Sequence, residues 1–322
     1  MPLYLTEHDV TGLLTMPEAI HAVETAFAAW ARGEASNHPR ERFFLPRGVM
    51  HHMAAALPAK GVMGTKTYTS YRDGTRFWVM LYSSETGDLL ALIEADKLGQ
   101  MRTGAATGVA ARHMAREDAH RATLFGTGWQ ARSQAEAILC VRPNIRELMV
   151  CSRDFGRRET FCREMTAHLN VRCTPTANHE EAARGTEIIV CATSATEPVL
   201  KADWLSPGDF VAAVGANRMT AREIGEDVVS RADVIAVDDP AQARTEAGEL
   251  VFAHERRKLS WERVTPLSEI VAGRMPGRSH ADQITLFKSL GVALEDVAVA
   301  ALVYEKAVAS GVGREIAAAP EG

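Results

Sequence analysis

The fold of this chain is constrained most strongly by a glycine-containing turn between a predicted strand and a predicted helix. The apolar run Arg121–Phe125 leads into Gly126-Thr-Gly128-Trp-Gln-Ala131, and a helical stretch follows as far as Leu139. Glycines at this spacing allow a tight turn that brings backbone N–H groups close to a phosphate, while the small Ala131 lets the helix pack on the strand. The pattern predicts a phosphate site at the helix N-terminus, as in dinucleotide-binding domains.

The residues around this turn continue the alternation of strands and helices. Short apolar runs separated by helical segments are typical of a parallel sheet with crossover helices. The further predicted strands are Glu147–Ser152, Glu187–Ala192, Phe210–Val214 and Val234–Val237. We therefore expect an α/β fold with a Rossmann dinucleotide-binding domain at residues 118–294. The acidic stretches Glu223–Asp227 and Asp238-Asp239 are expected to be solvated loops of this domain.

The N-terminal region has a different texture, which indicates a separate α+β domain. An amphipathic helix is predicted between Pro17 and Gly33, and short β-prone runs with glycines extend from Met50 to Ala95. A helix of small residues follows over Arg102–Ala115. A last amphipathic helix is predicted at about Val292–Ala309.

Composition excludes several classes of protein. The chain has 322 residues, enough for roughly two domains, and its 36 basic and 41 acidic residues give a net charge of −5. This balance argues against a nucleic-acid partner and fits a small-molecule one. The longest apolar run, Val297–Tyr304, is too short to cross a membrane, and the N-terminus has no secretory signal pattern. Five cysteines without a C-x-x-C pair favour a reduced, cytoplasmic protein.

A metal site is not expected either. The adjacent His51 and His52 lie in a predicted strand, where neighbouring side chains point to opposite faces and do not share a ligand. We therefore expect no bound metal.

The end of the second predicted strand of the Rossmann domain bears on the choice of cofactor. An NAD-preferring site offers a carboxylate to the adenosine ribose there, whereas this chain has Ser152 and Arg153. A hydroxyl beside a guanidinium suits a 2′-phosphate, which slightly favours NADP over NAD. Asp154 is one residue further on, and its carboxylate could still reach a ribose diol, so NAD remains an alternative cofactor.

Three basic residues are candidate ligands for an anionic group. Lys66 lies on an alternating strand with apolar side chains on its face, and Arg102, followed by Thr103, opens a helix whose N-terminus favours negative charge. Arg42 is the third candidate, with Arg40 as its rival. From pattern alone, each of these could equally be an exposed surface charge.

Four segments resemble the ornithine cyclodeaminase/mu-crystallin family in order and spacing, and the resemblance covers nearly the whole chain. The Arg-Thr-Gly-Ala-Ala and Phe-Lys-Ser-Leu-Gly elements are specific when found together. The segments are Ala95–Ala106, Gly126–Ala131, Val214–Glu223 and Thr285–Gly291.

The resemblance implies a homodimer that moves a hydride between a nicotinamide and the α-carbon of an amino or imino acid. Residues 1–117 with 295–322 would form the substrate-binding and dimerisation domain. The substrate carboxylate would be held by Arg42, Lys66 and Arg102. The cofactor would be contacted by Arg102, Thr103, Gly126, Gly128, Trp129, Gln130, Ser152, Arg153, Thr193, Val214, Gly215 and Ser289.

One residue departs from the pattern of the family's cyclodeaminases. They carry an Asp after a Gly-Gly or Gly-Ala pair, where this chain has Asn217. An amide forms hydrogen bonds but does not take up a proton at working pH. We expect this change to spare hydride transfer to a preformed C=N bond and to impair deaminative cyclisation, unless water or a neighbouring residue takes over the role.

These observations lead to one hypothesis and its rivals. The chain is expected to reduce α-imino acids, either cyclic ketimines such as pyrroline or piperideine carboxylates or acyclic imino acids, to L-amino acids with NADPH or NADH. Lys66, or a water that it orders, would supply the proton, and Asn217 would bind the nitrogen. The enzymatic alternatives are ornithine cyclodeaminase and alanine dehydrogenase. The alternative from another class is a nucleotide-dependent, crystallin-like binding protein.

Overall fold

The structure, a computed structural model, describes residues 1–316 and divides the chain into two compact units. The first unit comprises residues 1–102 and the chain from 292 onward, and the second unit comprises residues 103–291. From the sequence, we expect the two boundaries at 117/118 and 294/295. Residues 317–322, expected in the first domain, lie outside the described residues.

The helices and strands fall into two parts, a strand-rich N-terminal part and a part in which strands and helices alternate. The N-terminal part contains β1 (Leu3–Leu5), α1 (Glu7–Leu13), α2 (Met16–Ala31), β2 (Ser36–Leu45), β3 (Gly48–Leu57), β4 (Val62–Tyr71), β5 (Gly74–Ser83), β6 (Leu89–Glu94) and α3 (Asp96–Met114). The alternating part contains β7 (Arg121–Phe125), α4 (Trp129–Val141), β8 (Glu147–Cys151), α5 (Phe155–Leu169), β9 (Arg172–Thr176), α6 (His179–Ala183), β10 (Ile188–Cys191), β11 (Phe210–Ala213), α7 (Glu226–Arg231), β12 (Val234–Val237), α8 (Pro240–Glu246), α9 (Gly248–Glu255), β13 (Val264–Pro266), α10 (Leu267–Val271) and β14 (Thr285–Lys288). The chain returns to the first unit with α11 (Ala293–Ser310) and β15 (Arg314–Glu315).

The first unit is built on one mostly antiparallel sheet. Its described strands lie in the order β15-β1-β6-β5-β4-β3-β2, and α11 packs on β3 and β4 beside α2. Gly64 permits this packing, because a Cβ there would lie 2.7 Å from the carbonyl oxygen of Met80 and 3.2 Å from Cγ2 of Val297 on α11. The predicted N-terminal helix is confirmed as α2, which begins at a capping box formed by Thr15 and Glu18.

The second unit contains a parallel sheet with helices between its strands. The described strands lie in the order β13-β12-β14-β11-β10-β7-β8-β9, and all of their pairings are parallel. The core is formed by the apolar runs that the sequence predicts as strands, such as Ile188–Cys191 and Phe210–Ala213, which are buried throughout. The predicted α/β class, with a Rossmann-type sheet and a second domain, is confirmed.

No helix among residues 1–316 is both long enough and apolar enough to traverse a bilayer. All five cysteines are free thiols.

Candidate functional site

The glycine turn lies where the strand order of the second unit reverses. β7 and β10 are neighbours, and the chain proceeds outward from them in opposite directions, so their carboxyl ends border the crevice in which such sheets bind ligands. Gly126 follows β7 with a φ of +108°, and a Cβ there would lie 2.3 Å from the carbonyl oxygen of Ala192. Only glycine fits this close approach between two strand ends.

The N-terminus of α4 has room for an anion. Gly128 is its N-cap, no side chain caps the helix, and a Cβ on Gly128 would have no neighbouring atom within 4 Å. The positive end of the helix dipole therefore borders open space. Together with the obligatory glycine at 126, this geometry fits the pyrophosphate of a dinucleotide.

A pocket of about 680 Å³ extends from this turn along the ends of β7, β8 and β10. Five of the predicted cofactor residues line it: Gly126, Gly128, Ser152, Arg153 and Thr193.

The end of β8 forms the polar wall of the pocket. Thr127 Oγ1 donates a hydrogen bond to Ser152 Oγ over 3.4 Å, and the side chains of Arg153 and Arg157 border the same space. Asp154 is engaged as the N-cap of α5, where its Oδ1 accepts from the backbone N–H of Arg157 over 2.9 Å. The wall therefore offers a hydroxyl and two guanidinium groups, while its carboxylate is used locally.

The other predicted cofactor residues of the second unit differ in exposure. Trp129 and Gln130 are the first residues of α4, exposed and half-buried respectively, and Thr103 is buried in α3. Val214, Gly215 and Asn217 follow β11, next to the position of Thr193 after β10. Ser289 is buried after β14, where its hydroxyl donates to Asp238 Oδ2 over 3.1 Å.

In the first unit, two of the predicted substrate-binding cations share one carboxylate. Lys66 Nζ lies 2.7 Å from Asp296 Oδ1, and Arg102 Nε lies 3.0 Å from the same oxygen. Arg102 Nη1 also pairs with Glu295 over 2.7 Å. All four side chains are buried, with Lys66 2% exposed and Asp296 fully enclosed. Lys66 on β4, Arg102 on α3 and the first turn of α11 thus build a buried ionic cluster.

The environment of Lys66 makes its ammonium unusually acidic. Burial and, after it, the positive charge of Arg102 lower the pKa of Lys66 to about 8, while Asp296 acts in the opposite direction. Near neutral pH this side chain therefore carries a proton that it gives up more readily than an exposed lysine does.

Arg42 and Arg40 lie on β2, near a row of side chains that crosses the same face of the sheet as Lys66. Arg42 is in register with His51, and His51 with Tyr68, whose ring stacks on the imidazole at 4.1 Å between centroids. Burial, followed by the charges of Arg42 and Arg40, lowers the pKa of His51 to about 4, so the imidazole is neutral. Lys66 is two residues before Tyr68 and shares its face. Both arginines thus lie near this neutral histidine.

The carboxylates that organise these sites were not predicted from the sequence. Glu295 and Asp296 are adjacent acids in the first turn of α11, directly before the apolar run Val297–Tyr304, a pattern that signals buried partners for cations. The expectation that the stretches beginning at Glu223 and Asp238 are solvated is wrong for these two residues. Both are fully buried, because each carboxylate accepts hydrogen bonds from backbone N–H groups at strand ends.

The two units therefore contain different chemistry. The first unit has buried cations suited to a carboxylate, together with an acidic ammonium. The second has a glycine turn, an open helix N-terminus and a polar pocket suited to a dinucleotide. Within residues 1–316, no group of three or more His, Cys, Asp or Glu side chains is arranged to hold a metal ion.

Comparison with known proteins finds relatives that match nearly the whole chain. A sequence profile of the ornithine cyclodeaminase/mu-crystallin family matches residues 2–311. The Delta(1)-pyrroline-2-carboxylate reductase of Bacillus thuringiensis subsp. konkukian is 34% identical over 332 residues, covering 98% of this chain and 99% of that protein. The solved structure of the Thermococcus litoralis Delta(1)-pyrroline-2-carboxylate reductase with NADH and L-proline has a TM-score of 0.94 at 32% identity, covering 98% of this chain and 100% of that chain. An archaeal alanine dehydrogenase dimer with bound NAD has a TM-score of 0.92 at 32% identity, covering 98% and 99% respectively.

Proposed function

Because the chain belongs to the ornithine cyclodeaminase/mu-crystallin family, we propose that it is a nicotinamide-dependent oxidoreductase that reduces the C=N bond of an α-imino acid to the L-amino acid. The observation that carries this proposal is the buried pair of Lys66 and Arg102 on Asp296. It provides a carboxylate-binding group and a proton donor in one place. The substrates are cyclic ketimines such as pyrroline-2-carboxylate or acyclic imino acids.

The dinucleotide is held by the second unit. Gly126 and Gly128 let the pyrophosphate approach the backbone at the start of α4, and Trp129 and Gln130 flank it. Thr193, Val214, Gly215 and Ser289 border the ribose and nicotinamide. When bound, the reduced cofactor supplies the hydride for the imine carbon.

The substrate carboxylate is held by Arg42, Lys66 and Arg102. Fixed cations convert binding energy into orientation of the imine carbon, which lowers the barrier for a reaction that needs a defined approach. Asp296 and Glu295 keep Lys66 and Arg102 in place. Because these carboxylates offset part of the positive charge, the protonated imine is tolerated near the cluster.

The proton that balances the hydride comes from Lys66 or from a water that it orders. This proton is the one that makes the protonated imine, so one proton on nitrogen and one hydride on carbon turn C=N into CH–NH, and the donor regains its proton from solvent. A donor with a pKa of about 8 suits transfer near neutral pH. Asn217 supplies a neutral hydrogen-bonding group for the nitrogen but no base, which favours reduction over deaminative cyclisation.

A second candidate reaction is the reversible oxidative deamination of alanine. The similarity to the archaeal alanine dehydrogenase structure favours it. Pyruvate with ammonia and the reduced cofactor tests this candidate alongside the preformed imines.

NADPH is slightly favoured over NADH. The support is the wall formed by Ser152, Arg153 and Arg157, with Asp154 engaged in capping α5. Replacing Arg153 and Arg157 with Ala is expected to raise KM for NADPH more than tenfold while changing KM for NADH less than threefold. Equal effects on the two cofactors would contradict the preference.

The chain is proposed to act as a homodimer in a reduced cytoplasmic setting. The face of the first unit's sheet opposite Lys66 carries Met63 and Trp78, each 37% exposed. Large apolar side chains exposed on one sheet face are typical of an interface, and a second copy supplies the partner. Light scattering coupled to size-exclusion chromatography is expected to give twice the chain mass, and Met63→Arg to give the monomer mass.

The decisive assay for the proposal follows cofactor oxidation with a panel of imines. The wild-type protein is expected to oxidise NADPH or NADH with at least one cyclic or acyclic α-imino acid. Lys66→Met is expected to lower kcat/KM at least a hundredfold, whereas the exposed-lysine control Lys258→Met leaves it unchanged. Silence of the wild-type protein across the panel would favour the nucleotide-dependent binding protein instead.

A further inference from the structure

A buried ionic network surrounds the backbone that leads to Asn217. Its members are Glu223, in the loop after β11, Glu249 on α9 and Lys288 at the end of β14, and all three are fully or almost fully enclosed. These residues belong to the second unit and are distinct from the cofactor residues considered so far.

Glu223 ties together the ends of two neighbouring strands. Its Oε1 accepts from the backbone N–H of Thr193 over 2.5 Å and from the Thr193 hydroxyl over 2.8 Å. Its Oε2 accepts from the backbone N–H of Gly215 over 2.6 Å. A Cβ on Gly215 would lie 2.6 Å from Glu223 Oε1, so the carboxylate occupies the space that a side chain would need.

Lys288 fixes the next peptide. Its Nζ donates to the carbonyl oxygen of Ala216 over 2.5 Å and lies 3.3 Å from Glu249 Oε1, which also accepts from the backbone N–H of Glu223 over 3.1 Å. The carbonyl of Ala216 belongs to the same planar peptide as the N–H of Asn217. The backbone that leads into Asn217 is therefore held at two points, by Glu223 at the N–H of Gly215 and by Lys288 at the carbonyl of Ala216.

We propose that Glu223, Glu249 and Lys288 form a positioning network that holds the Thr193 loop and Asn217 in the arrangement needed by the nicotinamide ring and the imine nitrogen. The assignment of Thr193 and Asn217 to those roles rests on the proposed function; the network itself rests on the hydrogen bonds above.

A purely stabilising role does not account for this choice of residues. Charged groups buried in pairs are often no more stabilising than apolar side chains of similar volume. Burial raises the pKa of Glu223, which shows the cost of enclosing this carboxylate, and Lys288 partly offsets it. Glu223 accepts its hydrogen bonds from Thr193 and Gly215, which lie in loops at the carboxyl edge of the parallel sheet, where ligands bind.

The first test compares two glutamate variants. Glu223→Gln keeps one oxygen for Thr193 but places an amide NH₂ against the N–H of Gly215, so two donors face each other. We expect the Kd for NADH, measured by energy transfer from tryptophan to the bound cofactor, to rise at least fivefold. The matched control Glu197→Gln changes a carboxylate that is 81% exposed and is expected to leave Kd unchanged. An unchanged Kd in Glu223→Gln would overturn the proposal.

The second test separates positioning from stability. Lys288→Met leaves buried carboxylates without their cation and is expected to lower Tm. Adding Glu249→Gln relieves that charge and is expected to restore most of the Tm, while Ala216 still lacks its donor and kcat stays at least tenfold low. Recovery of kcat together with Tm would show a merely structural role and overturn the proposal.

The two tests distinguish the network from the proposed function. Cofactor binding is measured without turnover, so a wild-type protein that binds NADH but reduces no imine would refute the proposed function alone. In that case the double variant Lys288→Met with Glu249→Gln is assayed by its Kd for NADH instead of by kcat. Recovery of this Kd together with Tm would still overturn the proposed positioning role of the network.

Discussion

Replacing Asp296 with Asn should shift the pH dependence of catalysis, because Asp296 supports the protonated form of Lys66. The Nζ–Oδ1 distance is 2.7 Å, both groups are buried, and an opposite charge this close shifts a pKa by about 1–3 units. Asparagine keeps the size and one acceptor oxygen but removes the charge. A shift of about two units, equivalent to about 2.7 kcal/mol, would bring the pKa of Lys66 from about 8 to about 6.

The lower pKa of Lys66 is measurable as a shift of the alkaline limb of the pH–rate profile. At pH 7 the protonated fraction of Lys66 would fall about tenfold, and the upper limb of the kcat/KM profile for imine reduction should move from near pH 8 to near pH 6. Carbon NMR of labelled lysine, with the Lys66 resonance identified from Lys66→Met, gives the pKa without turnover.

A matched variant separates this effect from a general disturbance of the cluster. Glu295→Gln removes a carboxylate from Arg102 and leaves the Lys66–Asp296 pair in place. Its alkaline limb should stay near pH 8 even if KM rises. An Asp296→Asn limb at the wild-type position would refute the reasoning.

Three further predictions concern the second unit. Gly128→Ala should leave Tm within a few degrees of wild type but weaken NADH binding at least tenfold, whereas Gly126→Ala should lower Tm strongly because its Cβ meets backbone at 2.3 Å; equal Tm values would contradict this. Asn217→Asp should gain ammonia release and proline formation from L-ornithine with NAD, and the absence of both would weaken the role given to the amide. Burial raises the pKa of Asp209 to about 7, so the folded state binds more protons than the unfolded state between about pH 4 and 7, and stability falls as pH rises through that window. Asp209→Asn should remove this dependence and raise the free energy of unfolding at pH 8 by up to about 4 kcal/mol, as measured by urea denaturation; a pH profile like that of wild type would contradict it.

Five inner strands of the parallel sheet, β7, β8, β10, β11 and β12, were predictable because short apolar runs report buried strands directly, whereas β14, also an inner strand, was not predicted. Edge strands were not, and the reason lies in particular residues. β2 and β9 lie at the ends of their sheets and contain Pro39 and Pro175, which are tolerated at an edge where a ladder hydrogen bond is dispensable. Their polar composition hides them from periodicity.

The parts of the candidate site that depend on a local requirement for one residue type were predictable from the sequence. The turn at Gly126 follows from its backbone requirement, which is local. The partnership of Lys66 with Asp296 joins positions 230 residues apart, and that of Glu223 with Thr193 depends on which strands become neighbours. Long-range pairing of this kind has no local signal. A solvent-exposed acidic loop residue and a buried one such as Glu223 therefore look the same in the sequence.

The most direct test follows deuterium from the cofactor to the product. The cofactor is NADPH or NADH with deuterium at both C4 positions of the nicotinamide. It would be incubated with protein and, one at a time, pyrroline-2-carboxylate, piperideine-2-carboxylate and the imines formed from pyruvate with ammonia or methylamine. We expect an L-amino acid with one deuterium on its α-carbon from at least one of these imines, detected by mass spectrometry and chiral chromatography. Unlabelled amino acid, or a cofactor that stays reduced with every imine, would contradict it.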